Sequence, residues 1–272
     1  MMSEKEFNLR FKWLYPHLEE AGRKLRLYRH NKNFETRYKK DGSKVTSVDE
    51  EMSEYWLELL NRAFPGETVV SEEDESSHSY HSKSRLVWYI DPIDGTSKFV
   101  DGSPNYFVLI SLCVEGEARF GMLYQPERNC ILYGNPYVRT RLYTSLHEYR
   151  EIHHTISWRH QMPLVVKGAE PALRNRLEEL THLPVKRTSA AAHNIIGPLN
   201  GPNTGFLSFR KTAYWDLAAP AAIMEAAGFQ TRIFSNGEPA SYHDGNIFCD
   251  RFYCLPPDTP SDIIDYVNGL TF

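Results

Sequence analysis

Leu86-Val87-Trp88-Tyr89-Ile90 runs straight into Asp91-Pro92-Ile93-Asp94-Gly95-Thr96-Ser97, and this junction constrains the chain more than any other stretch. Five apolar and β-prone residues in succession read as a buried strand. Pro92 keeps Asp91 out of helical geometry and fixes its own φ, so two carboxylates project from a rigid turn. Gly95 permits close approach of the backbone to a ligand. Thr96 and Ser97 can open a helix whose unbonded N–H groups face an anion. One turn therefore offers two hard oxygen donors for a cation and a cradle for a phosphate. The ordinary alternative is a strand-to-helix turn in which Asp94 caps the helix. That alternative leaves two mutually repelling charges at one spot with no metal or proton between them.

The rest of the chain supports a layered α/β or α+β fold. Phe7, Phe11, Leu14, Leu18, Ala21, Leu25 and Tyr28 recur at helical spacing, and Pro16 predicts an interruption into two helices. Arg23 to Lys40 is rich in bases, and Lys39-Lys40-Asp41-Gly42-Ser43-Lys44 reads as an exposed loop, either a solvated face or a lid carrying positive charge to a phosphate. Ser47-Val48-Asp49-Glu50 has a capping-box pattern for a helix with Met52, Tyr55, Leu59 and Ala63 inward, stopped by Pro65-Gly66. Thr68-Val69-Val70 predicts a short strand that places Glu72 at its end, as Ile90 does Asp91; Asp74 and Glu75 read as solvated. Tyr106–Val114, Arg119–Tyr124 and Ile131–Tyr133 predict a three-stranded meander, and His147–His160 an irregular junction. Beyond it come strands at Leu164–Val166, Val185–Arg187 and Phe206–Phe209. Helices are expected at Glu170–Leu180, in the small residues Thr188–Ala192, and at Leu217–Ala227, with Pro220 in the first turn of the last.

Composition narrows the class. Of 272 residues 41% are apolar and 24% charged, as in a soluble globular protein, and a net charge of −4 argues against nucleic acid as the main partner. No apolar run approaches membrane-spanning length and Met1-Met2-Ser3-Glu4-Lys5-Glu6 has no signal-peptide core, so the expectation is a cytoplasmic protein with no membrane partner. Cys113, Cys130, Cys249 and Cys254 form no CxxC pair, and reduced thiols are expected.

Asp91-Pro92-Ile93-Asp94-Gly95-Thr96 resembles the signature of the inositol monophosphatase family, magnesium-dependent and often lithium-sensitive phosphomonoesterases that include the bisphosphate nucleotidases. The likeness continues through Phe99-Val100-x-Gly102-x-Pro104, Ser71-Glu72-Glu73 and Trp215-Asp216-Leu217-Ala218-Ala219, in the family's order and roughly its spacing. It implies alternating layers of helices and sheets, with residues 1–150 carrying most metal ligands and 151–272 carrying Asp216 and the substrate-selecting segments. Phosphate monoesters hydrolyse very slowly unaided, and divalent metals both neutralise charge and supply a nucleophile from bound water. The resemblance implies that Glu72, Asp91 and the carbonyl of Ile93 ligate one Mg2+. Asp91, Asp94 and Asp216 would hold a second, and Glu72 would also serve a weaker third. Gly95, Thr96 and Ser97 would bind the phosphate, and Asp49 with Thr96 would orient and deprotonate the attacking water. By itself Asp49 reads as a charge on a helix dipole, and Asp216 as a helix cap. Soft ligands are missing from the set, which argues against zinc or iron. Li+ inhibition and a homodimer are compatible with this family.

Two departures bear on the substrate. Relatives usually read Ser-Pro-Val-Thr where this chain has Ser43-Lys44-Val45-Thr46, so Lys44 either reaches the phosphate or loosens the loop. Inositol phosphatases of the family carry a Glu shortly before Trp-Asp, whereas Ser208-Phe209-Arg210-Lys211-Thr212-Ala213-Tyr214 has no carboxylate. Arg210 and Lys211 read either as exposed loop charges or as partners for a second anionic group, as in a 3'(2'),5'-bisphosphate nucleotide. The Phe99-Val100-x-Gly102-x-Pro104 stretch is closer to the inositol phosphatase pattern. The expected activity is Mg2+-dependent hydrolysis of a small phosphate monoester, the alternatives being a bisphosphate nucleotidase and a non-catalytic metal- or phosphate-binding regulator.

Overall fold

In the computed structural model β4 (Leu86–Asp94) runs through the middle of the molecule, and its two faces define the layers. The structure describes residues 2–79, 84–152, 157–158, 162–188, 190–234, 236–242 and 247–270. The elements preceding β4 are α1 (Glu4–Asn31), a hairpin of β1 (Thr36–Tyr38) and β2 (Lys44–Thr46), α2 (Ser47–Ala63) and β3 (Thr68–Ser71). After it come α3 (Thr96–Val100) and the strands β5 (Phe107–Val114), β6 (Glu117–Gln125), β7 (Cys130–Asn135), β8 (Val138–Ser145) and β9 (Glu148–Glu151). β3 pairs parallel to β4, and the other strands follow antiparallel in chain order, giving a seven-stranded sheet. Alternation along β4 sends Trp88 and Ile90 toward α1 and α2, and Val87 and Tyr89 into the core shared with the second half.

The second half contributes β10 (Leu164–Lys167), α4 (Pro171–Thr181), β11 (Val185–Thr188), the short helices α5 (Ala192–Ile195) and α6 (Gly197–Asn200), and β12 (Gly205–Ser208). It continues with β13 (Thr212–Ala213), α7 (Tyr214–Ala226), β14 (Gln230–Ile233), β15 (Phe248–Cys249), β16 (Phe252–Leu255) and α8 (Ser261–Asn268). Five of these strands form a sheet in the order β11-β10-β12-β16-β14. Its Val165, Phe206, Phe252 and Cys254 join the core around α7, while Leu164, Val166 and Leu207 pack with α4 and α8. The result is the expected alternation: α1/α2, large sheet, α5–α7, small sheet, α4/α8.

Because α7 lies between two sheets it is apolar on nearly every side, with Leu217, Ala218, Ala219, Ala221, Ala222, Ile223 and Met224 all buried. Two glycines let it sit down on the large sheet. A Cβ at Gly121 would come 2.3 Å from the Ala219 carbonyl oxygen, and one at Gly134 would come 2.7 Å from Ile223 Cα.

Several sequence expectations need correction. α1 is continuous through Pro16, which is exposed, so the carbonyl it cannot bond is left toward water. The cap of α2 is Thr46, one residue earlier than expected, with Asp49 completing the box; Glu50 pairs instead with Arg37. Trp56 rather than Tyr55 is fully buried on α2. The meander has five strands: β8 buries only Thr140 and Tyr143, β9 buries no residue, and their Arg and Glu residues mask the pattern. The helix expected in Thr188–Ala192 starts only at Ala192, and Ser189 lies outside the described residues, as do His153, His154, Arg159 and His160 of the expected junction. α7 starts at Tyr214, so Pro220 is interior and cannot donate to the Asp216 carbonyl. No disulfide joins the four cysteines. No helix among the described residues is long and apolar enough to cross a membrane.

Candidate active site

Adjacent strand ends bring the first carboxylates together. The parallel register sets Ser71 beside Ile90, and Glu72 N–H donates to the Ile90 carbonyl at 3.1 Å, so Glu72 leaves β3 next to Asp91. Pairing with β5 is irregular between Asp91 and Asp94, where the turn begins, and Asp91 Oδ1 accepts the Ile93 N–H at 2.9 Å. From the other half, the first turn of α7 delivers Asp216. One carboxylate oxygen each from Glu72, Asp91 and Asp216 lies within 4.8 Å of the others. Asp94 is outside that triple but shares its field. Burial, and then Glu72 and Asp94, push both Asp91 and Asp216 well above the ordinary carboxylate range. Asp94 is raised likewise by burial and Glu72, while Lys167 pulls it down.

Asp49 and Thr96 meet as expected. Thr96 Oγ1 donates to Asp49 Oδ1 at 2.9 Å and lies 3.2 Å from the Ile93 carbonyl. The other Asp49 oxygen accepts the Thr46 N–H at 2.8 Å and the Thr46 hydroxyl, so the capping box is also what orients this carboxylate. Asp49 is 1% exposed, and burial raises its pKa against these hydrogen bonds. Gly95 opens α3 with φ of 88°, a conformation glycine adopts without strain. The first-turn amides of Thr96 and Ser97 have no intrahelical carbonyl to bond.

The basic loop is an ordered hairpin turn, closed by Lys39 N–H to the Ser43 carbonyl at 2.8 Å and by Asp41 accepting from Ser43. Its Lys39 ammonium bonds Glu72 at 2.6 Å and Glu73 at 2.7 Å. Burial disfavours the Lys39 charge, but the two glutamates outweigh it and raise its pKa. Glu73, almost buried, is lifted to about 7 by burial and by Glu72 despite Lys39. Lys44 bonds Asp101 at 3.2 Å instead of reaching toward the carboxylates.

Of these groups Lys39, Glu72, Glu73 and Asp216 line a cleft of about 840 Å3 between the halves, within the usual range for small-molecule sites. Lys211 lines it, whereas Arg210 is exposed and lays its stem across Gly168. Sequence reading missed Lys39, Lys167, His78 and Phe248 in the cleft. Lys39 stood within the basic loop already singled out, but nothing in the pattern paired it with Glu72. His78 bridges the halves, stacked on Trp215 at 4.9 Å with a ring nitrogen 2.9 Å from the Ser71 carbonyl.

A cluster of carboxylate oxygens around buried Asp91, with no imidazole or thiolate among them, is a donor set that fits Mg2+. The Nus factor SuhB of Pasteurella multocida is 32% identical over 102 residues, 38% of each chain. The aligned stretches cover only 38%, 30% and 36% of the length of that protein and two further relatives. The 3'(2'),5'-bisphosphate nucleotidase CysQ of Buchnera aphidicola is 25% identical over 215 residues, 78% of this chain and 80% of its own. A solved IMPase/NADP phosphatase, complexed with Mg2+ and phosphate, matches the fold with a TM-score of 0.77 at 15% identity, over 96% of this chain and 94% of its own. The model of the inositol monophosphatase family matches residues 11–257, and this chain belongs to that family.

Proposed function

We propose that this protein is a Mg2+-dependent phosphomonoesterase acting on small phosphate esters. The observation that carries the reading is the convergence of Glu72, Asp91 and Asp216 from three separate elements beside the Asp49–Thr96 pair. Glu72, Asp91 and the Ile93 carbonyl would hold one ion; Asp91, Asp94 and Asp216 a second; and Glu72 a weaker third, with Li+ as a competitor. Bound there, the ions neutralise phosphate charge and acidify a water. Everything else is work for the chain. The N–H groups of Gly95, Thr96 and Ser97 hold phosphate oxygens at the start of α3. The Thr96 hydroxyl, already donating to Asp49, presents its lone pairs to the attacking water. Asp49, kept basic by burial, takes the proton through Thr96.

The fold relative holding Mg2+ and phosphate and the bisphosphate nucleotidase relative both support hydrolysis. The Nus factor relative favours a second reading, a regulator that keeps the fold without turnover. A phosphate-release panel of polyol, sugar and nucleotide phosphates, run with Mg2+ and with chelator, separates them. Mg2+-dependent release is the expected result, and no release from any ester overturns the phosphatase reading.

A further inference from the structure

α3 has five residues, and so short a helix does not hold its shape without tertiary support. The support comes from the segment that follows it. Ser103 N–H donates back to the Lys98 carbonyl at 2.9 Å, and the chain then passes behind the turn it has just left. A Cβ at Gly95 would come 3.4 Å from the Asn105 carbonyl oxygen and 3.7 Å from Tyr106 Cα, so residues 105–106 back directly onto the Gly95–Thr96 turn. One side chain in the last turn of α1 pins this backing. Arg29 Nη1 donates to the Gly102 carbonyl at 2.9 Å and to the Ser103 carbonyl at 2.8 Å, while Nη2 pairs with Glu127 at 2.7 Å. The other Glu127 oxygen accepts the Tyr106 hydroxyl at 2.7 Å, and the guanidinium lies 5.6 Å from the centre of the Tyr106 ring. The Arg29 and Glu127 side chains are only 20% and 18% exposed, so these charge-assisted bonds are largely shielded from water. Tyr106 is fully buried, its ring 5.1 Å from that of Phe99 in α3 and at 82° to it.

We propose that Arg29 is a positioning residue for the Gly95–Thr96 turn. Through the Gly102 and Ser103 carbonyls and the Glu127–Tyr106 bridge it keeps the turn's amides, and the Thr96 hydroxyl that donates to Asp49, aligned with the carboxylate cluster. Arg29 itself stands apart from the residues that line the cleft. Glu72, Asp91 and Asp216 come from the end of β3, from β4 and from α7, whereas the Arg29 bonds end on residues 102, 103 and 127. Loosening the turn therefore disturbs phosphate and water more than it disturbs the metal ligands. The proposal rests on the phosphatase reading for its effect on turnover, but not for phosphate binding.

The test compares wild type, Arg29→Met and Arg29→Lys with a control, Arg10→Met, whose side chain also forms a shielded pair, with Glu67, at the other end of α1. For each protein kcat, KM and the Mg2+ half-saturation are measured on the ester that wild type hydrolyses fastest, together with the melting temperature. Arg29→Met should lower kcat by about tenfold to a hundredfold, as small displacements of reacting groups do, while the Mg2+ half-saturation changes only a few-fold. Arg29→Lys keeps the charge on Glu127 but not the planar fork, and should recover part of the loss. Arg10→Met should lower the melting temperature yet leave kcat within a few-fold of wild type. Unchanged kcat in Arg29→Met, or an equal loss in Arg10→Met, overturns the positioning role. Should Arg29→Met not fold, Arg29→Lys decides, and wild-type kcat in it overturns the role. Calorimetric titration with inorganic phosphate in the presence of Mg2+ keeps the two readings apart. If wild type hydrolyses no ester but Arg29→Met, or Arg29→Lys in its place, weakens phosphate binding about tenfold with Mg2+ binding unchanged, the positioning role stands without the phosphatase. In that case equal phosphate affinity in the two proteins, or none in wild type, overturns it.

Discussion

The two walls of the cleft are built differently. On the N-terminal side, Asp49 and Asp91, 1% and 2% exposed, sit at a capped helix start and a strand end whose positions are set by sheet register. The C-terminal wall adds one carboxylate, Asp216, and also presents Lys167, Lys211 and Phe248. A group that must hold a geometry within a fraction of an ångström is locked by hydrogen bonds and burial, while groups that meet a variable leaving group stay exposed. Under the proposed function, chemistry would fall to the first wall and selection to the second.

The most severe way to break this comparison is Asp91→Asn. It should lower kcat by about a thousandfold or more, since metal-derived charge stabilisation is worth several kcal/mol, and should abolish tight Mg2+ binding. In chelator the same variant should melt at a higher temperature than wild type, because Asp91 is pressed by Glu72, Asp94 and Asp216. A lower melting temperature in chelator would show that these carboxylates do not strain one another. Asp49→Asn sharpens the division within the first wall: kcat should fall by about 10²–10⁴ while Mg2+ affinity, by calorimetry, changes only a few-fold. Parallel losses of metal affinity in the two variants would contradict the separate roles.

Gly121→Ala tests the joint between the walls. Its methyl group would strike the backbone of α7 at Ala219, one turn beyond Asp216, and a helix cannot yield there without shifting that carboxylate. Urea unfolding should show a loss of about 1–3 kcal/mol, with reduced activity at saturating Mg2+. Unchanged stability would mean α7 is less firmly seated than its contacts indicate.

The smallest effect concerns pH. His193, stacked on Phe107 at 5.7 Å where α5 meets β5, has its pKa lowered, mainly by burial and also by Arg128. Its folded pKa therefore lies below the unfolded value near 6.5, so the unfolded chain binds the extra proton and stability is lost as pH falls through and below 6.5. His193→Phe should flatten the fall in melting temperature between pH 7 and 5. His17, lowered for the same reason, leaves a residual slope. An identical profile in the variant would remove His193 as a contributor.

Much of this was legible in the chain. An apolar run ending in Asp-Pro-Ile-Asp-Gly-Thr specifies its strand and turn locally, and so do the meander cores and the Trp-Asp ahead of an alanine-rich segment. Periodicity was weaker at edges: β8 and β9 read as polar because few of their side chains are buried, and α7, apolar all round, showed no face from which to locate its start. The capping box was legible as a motif but ambiguous by one residue, since Thr46 and Ser47 both qualify, and only the hydrogen bonds to Asp49 decide.

The sequence by itself determined which residue types stand at strand and helix ends, because backbone sterics and solvation act on neighbours along the chain. It could not determine which ends meet. That Lys39 lies on Glu72 and Glu73 was decided by the fold of the first half, and that Asp216 closes the triple with Glu72 and Asp91, in the cleft that Lys167 and Phe248 share, by the packing of α7 between two sheets. Contacts between loops scores of residues apart follow from shape complementarity of buried surfaces, which no local pattern of side chains encodes.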